Sequence, residues 1–163
     1  MIDWLTSKLA MMVAAVILFA SIAGLFAYQR SAAGISELQG EADAIARAVN
    51  GVSAVSGNTV LPVTYDSSRD GFHIKPTVRG DSYALTLNPT FVLVGQKGDR
   101  VVSNFASAIH LWKPLKSRYN VTELSNADSS HTALSFPSGQ DFKVERRMVD
   151  VGGENRYLTF AYP

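Results

Sequence analysis

The sequence predicts an α+β protein, in which a long N-terminal helix, transmembrane and then amphipathic, precedes an antiparallel β-sheet or small β-sandwich head. Three observations carry this prediction. The run Leu9 to Gln29 contains no charged side chain and is bracketed by Lys8 and Arg30. Apolar residues then continue along one helical seam as far as Val49. From Val52 onward the apolar period drops to two, and turn residues punctuate it. The implied organisation is an N-terminal helix over 1–50, transmembrane at about 9–29 and amphipathic over 31–50, with an extracytoplasmic β-rich head over 51–163.

At ~1.5 Å rise per residue, a helix of about 20 residues matches a hydrocarbon core ~30 Å thick. Trp4 and Tyr28 stand near the two ends, where interfacial aromatic residues belong. The run is longer than the apolar core of a secretory signal, and Asp3 offsets its leader, so a retained anchor is expected. Ser31-Ala32-Ala33 nevertheless has the small residues of a cleavage site. Basic residues are few on either side of the span. The expected orientation puts the N-terminus inside and the head outside, in a single-pass cell-membrane protein.

Beyond Arg30, Ile35, Leu38, Ala42, Ile45 and Val49 follow spacings of three and four, with Glu37, Glu41, Asp43 and Arg47 largely off that line. Extended backwards, the same alternation reaches Ser31, Tyr28, Gly24, Ser21, Ile17, Ala14 and Ala10. The stripe is therefore mostly small residues within the bilayer and mostly aliphatic outside it. In lipid, helices approach through small residues, whereas in water aliphatic side chains gain by burial. Ala10, Ala14, Ile17, Ser21, Gly24, Tyr28, Ile35, Leu38, Ala42, Ile45 and Val49 thus form one candidate packing face for neighbouring helices. Asn50-Gly51 predicts the helix end.

Strands are expected over 59–65, 72–75, 83–87, 91–96, 100–105, 109–112, 142–149 and 156–162. Lys97-Gly98-Asp99 and Gly152-Gly153 mark two hairpins, and 115–130 reads as a long surface loop. About 110 residues suffice for one small domain with its own core.

The composition restricts the chemistry. Among 163 residues the formal net charge is +1, with no basic stripe for nucleic acid. No cysteine is present, which removes disulfides, thiolate metal sites and a cysteine nucleophile. His73, His110 and His131 share no ligand spacing and read as structural. The segment from Asp66 to Gly71 begins like a calcium loop, but Thr77 stands where the bidentate glutamate belongs, so a turn is expected. Asp141 and Glu145 would need a cleft for acid–base work, which a thin sheet rarely offers. No enzyme activity, cofactor or metal is indicated. Asn120-Val121-Thr122 is an N-glycosylation acceptor pattern in an extracytoplasmic domain.

An apolar helix from the first residues, running through Ile2–Asn50 into a β-rich head, resembles the type IV pilins and archaeal pilin-like proteins. The resemblance implies a structural subunit of an extracellular filament or of its assembly machinery. Its N-terminal helices would bundle with copies of itself or related subunits, and its heads would face solvent. It also implies removal of a short basic leader by a prepilin peptidase. Two features depart from the pattern: no basic leader ending in glycine or alanine precedes the run, and Leu5 stands where bacterial members carry glutamate. The alternative is a single-pass anchored binding module whose 115–130 segment contacts a surface glycan or protein.

Overall fold

A computed structural model describes residues 7–163, with the helical backbone assigned from Ile2. The side chains of Asp3, Trp4 and Leu5 lie outside the described residues. Helix α1 spans Ile2–Ala54 without interruption. The chain forms two compact units, residues 1–36 and 37–163, and α1 contributes to both. The result is an α+β chain, one long apolar helix followed by a β-sheet head.

The strands of the head are β1 (Thr59–Thr64), β2 (Phe72–His73), β3 (Ala84–Leu87), β4 (Phe91–Gln96), β5 (Asp99–Asn104), β6 (Arg118–Tyr119), β7 (Leu134–Pro137), β8 (Phe142–Val151) and β9 (Glu154–Tyr162). A second helix, α2, spans Val121–Ser130. In the first sheet β8 is central, antiparallel to β1 and β9 and parallel to the two-residue β6, while β2 adds in parallel to β1. The second sheet is antiparallel throughout, in the order β5-β4-β3-β7.

Residues 37–54 of α1 carry both sheets. Leu38, Ala42, Ile45, Ala46, Val49 and Val52 are each no more than 6% exposed. They share one cluster with Val63, Phe142, Val144 and Ala161 of the first sheet and Leu85, Leu87, Val92, Val94 and Phe136 of the second. Each sheet exposes one apolar face that must be covered, and the same helix covers both. Contacts along α1 fix two ends of the head. At the root, Glu41 pairs with Lys75 and Glu37 with Arg79, and the Gln39 amide donates to the Val102 carbonyl. At the crown, Asn50 Oδ1 accepts from Ala106 N, and Ser53 bonds Thr159.

The opposite face of the first sheet holds a second cluster: Trp112, Tyr119, Val149, Val151, Phe160 and Tyr162, with Leu124 and Ala127 of α2 packed on it. Strand β8 thus sends Phe142 and Val144 to one core and Val149 and Val151 to the other, as a period of two allows.

Several expected elements differ. The helix passes Asn50-Gly51 because Val52 and Ser53 still find partners in the head, while the Asn50 side chain bonds Ala106 instead of ending the helix. Residues 109–112 form no strand; His110 alone bridges Phe160. The expected 115–130 loop contains β6 and α2, because Asn120 and Glu123 form a reciprocal capping box. Strand β7 went unrecognised in the sequence.

Two outcomes follow for folding. Ile45→Ala removes a side chain with no exposure and should destabilise the head by about 2–5 kcal/mol, read from denaturant melts. A chain starting at Glu37 should melt cooperatively by circular dichroism, whereas one starting at Gly51 should not, since it lacks Leu38 to Val49.

Candidate functional site: an exposed apolar helix

Residues 7–32 of α1 are exposed along their whole length. Met11, Val16, Phe19 and Phe26 are each at least 66% exposed, and Tyr28 is 73% exposed. Among the described residues, one helix is therefore long and apolar enough to cross a membrane. A helix that is hydrophobic all round and covered by nothing in its own chain suits lipid or other helices, not water.

The predicted packing residues divide into two groups. Ala10, Ala14, Ile17, Ser21, Gly24, Tyr28 and Ile35 are exposed. Leu38, Ala42, Ile45 and Val49 are buried in the core of their own head. The aqueous half of the stripe is therefore occupied by β-sheets of the same chain, which corrects the expectation that it turns to neighbours. Two features favour close approach in the remaining half. The Ser21 hydroxyl donates to the Ile17 carbonyl at 2.8 Å, so its polar group is satisfied within the helix. Nothing lies within 4 Å of a Cβ built at Gly24.

The head uses its polar residues locally. Asp66 Oδ1 accepts from the Ser68 N–H at 2.9 Å and the Ser68 hydroxyl at 2.7 Å, the bonding of a turn. Those contacts hold the Asp66 carboxyl below its usual range, the Ser68 hydroxyl bond most of all. Asp141 pairs with Arg69 at 2.9 Å, whereas Glu145 accepts from the Tyr162 hydroxyl at 2.6 Å. The two carboxylates therefore serve separate contacts. Burial, and then the Glu145 carboxylate, push the Tyr162 phenol up to about 12. Among the described residues, no three His, Asp or Glu side chains gather to hold a metal.

The histidines are likewise dispersed. His73 Nε2 bonds the Arg69 carbonyl, and His131 Nδ1 the Ala127 carbonyl. His110 joins a cluster that sequence reasoning missed. Asp128 Oδ1 lies 2.7 Å from His110 Nδ1 and accepts from the Trp112 indole at 2.9 Å. The Trp112 ring meets Phe160 and Tyr119 edge-on at 5.0 and 5.3 Å. Asp128 thus ties α2 to the 109–112 segment, whose His110 bridges Phe160 of β9.

Asn120, the acceptor of the glycosylation pattern, is exposed and is the N-cap of α2. Its Oδ1 accepts from the Glu123 N–H at 2.7 Å, while Glu123 Oε2 accepts from the Asn120 N–H at 3.1 Å. An Asn-x-x-Glu reading of residues 120–123 would have found this helix in the sequence.

In three separate comparisons, no protein-family model, curated protein or solved structure matched this chain.

The Asn120 N–H bond, and then Lys116, hold the Glu123 carboxyl below its ordinary value. Its contribution to α2 is therefore complete above the ordinary glutamate range and is lost as pH falls through the lowered value. The protection factors of the Glu123 and Leu124 amides, which take out the intrinsic slowing of exchange in acid, should fall on acidification in the wild type. In Glu123→Gln, that fall should be smaller.

Proposed function

We propose that this chain is a pilin-like structural subunit of an extracellular type IV-like filament or of its assembly machinery. The observation that carries this reading is the exposed apolar segment of α1, whose small residues Ala10, Ala14, Ser21 and Gly24 share one seam. Without hydrophobic drive between helices in a bilayer, association depends on close van der Waals approach, which small residues allow. Copies of the chain, or related subunits, pack along this seam, and the head projects into solvent on the outer side of the membrane. The absence of glutamate at position 5 fits archaeal members of that class better than bacterial ones. Asn120 then lies on the glycan-accessible side.

A second reading is an anchored binding module. The outer face of the β5-β4-β3-β7 sheet supports it, with an open depression of about 460 Å³ bordered by Thr86, Leu93, Gln96 and Arg100. On this reading the helix only tethers, and the depression takes a surface glycan or protein.

Substitution in the seam separates the two. Gly24→Leu and Ala14→Leu meet no clash within the chain at Gly24 and an exposed position at Ala14, so the head should melt as in the wild type. Assembly, followed by micrographs of the cell surface and by cross-linked ladders from membranes, should fall by about tenfold or more. Unchanged ladders, or a wild-type chain that is strictly monomeric in membranes, would favour the tether.

A further inference from the structure

Arg146, on β8, is a half-buried cation with no ion pair or hydrogen bond among the described residues. Its Nε is sealed from solvent and has no hydrogen-bond partner, while its guanidinium lies 5.3 Å from the centre of the Tyr157 ring. The aromatic ring and the enclosed stem fix the orientation of the side chain, so its outer nitrogens are the part left to bond. Next to it on the same sheet face stand the cross-strand partners Met148 and Tyr157, 41% and 40% exposed. Val55, 44% exposed, follows directly on the end of α1. All of these lie at the crown, since Arg146 is in register with Thr159, which bonds Ser53. Arg100, Lys113 and Lys143, which likewise form no salt bridge among the described residues, are exposed side chains. A preorganised arginine ringed by Tyr and Met is the composition of an interface anchor.

The unmatched carboxylates lie at the opposite end. Among the described residues, the side chains of Asp70 and Asp99 carry neither an ion pair nor a hydrogen bond. Asp99 closes the β4–β5 hairpin, whose Gln96 bonds the Val78 and Asp81 carbonyls beside Arg79, the partner of Glu37. Asp70 precedes β2, which leads into Lys75, the partner of Glu41. Both belong to the root.

We infer that the crown of one head docks on the root of a second copy of this chain, with Arg146 taking Asp99 or Asp70 of its neighbour. Unlike surfaces at opposite ends make a heterologous contact, the kind that propagates into an open array and does not close as a dimer. This inference rests on the filament reading and adds to it a contact between heads.

The test uses the full-length chain on intact cells, where filaments would extend from the membrane and bring crowns against roots, with cross-linked ladders as the readout and head folding checked by thermal melts. Arg146→Glu should lose the species above dimer by about tenfold, and Arg146→Gln should lose them to a lesser degree. Adding Asp99→Arg or Asp70→Arg to Arg146→Glu should restore them. An unchanged ladder in a folded Arg146→Glu chain, or a loss that neither second substitution restores, would overturn the head contact. If Arg146→Glu melts early, Arg146→Gln and the Asp99→Arg and Asp70→Arg single variants decide in its place, and a ladder unchanged in all three overturns the contact. Gly24→Leu serves as the control. A ladder lost in Gly24→Leu but kept in Arg146→Glu removes this inference and leaves the filament reading intact, whereas a monomeric wild type removes both.

Discussion

The head depends on one helix serving two sheets. Leu38, Ala42, Ile45, Ala46, Val49 and Val52 are covered on one side by β1, β8 and β9 and on another by β3, β4 and β7. Neither sheet buries its apolar face against the other alone, so the helix is the structural centre of the domain and not a stalk attached to it. Polar contacts at each end, from Gln39 to Val102 and from Asn50 to Ala106, run β5 alongside this segment of the helix. Because α1 continues unbroken into an exposed apolar segment, the element that organises the head is also the one suited to the bilayer.

This arrangement accounts for the change of composition along the seam. Small residues predominate on it up to Gly24, Ile17 excepted, and aliphatic ones dominate from Ile35. From Leu38 the aliphatic part has its partners within the chain, whereas Ile35 and the small-residue part are exposed. Two solvents therefore select two compositions on one helical line. The exposed part of the seam ends where the head begins.

Much of this was legible from spacing. The seam identified four of the six helix residues in the core. The β4–β5 hairpin followed from Lys97-Gly98, whose positive φ angles of 49° and 97° suit a tight two-residue turn. The β8–β9 hairpin followed from Gly152-Gly153 in the same way. What escaped depended on partners distant in sequence. The helix overran Asn50-Gly51 because Val52 is buried by strands more than ten residues away. The two-residue β6 exists only through its parallel pairing with β8 at Asp150 and Val151. Nothing in the local pattern around Trp112 indicates that Asp128, on α2, accepts its indole proton. Only the capping box at Asn120 was local and overlooked.

The position of β8 between two cores bears on how the domain comes into being. Residues 37–54 emerge early in synthesis, yet their covering strands β8 and β9 arrive about a hundred residues later, and contacts of such separation form slowly. Until then the first sheet lacks its central strand β8, and the nascent head cannot close. Were the head exported as proposed, a chain held open in this way would have time to be threaded across a membrane before it locks.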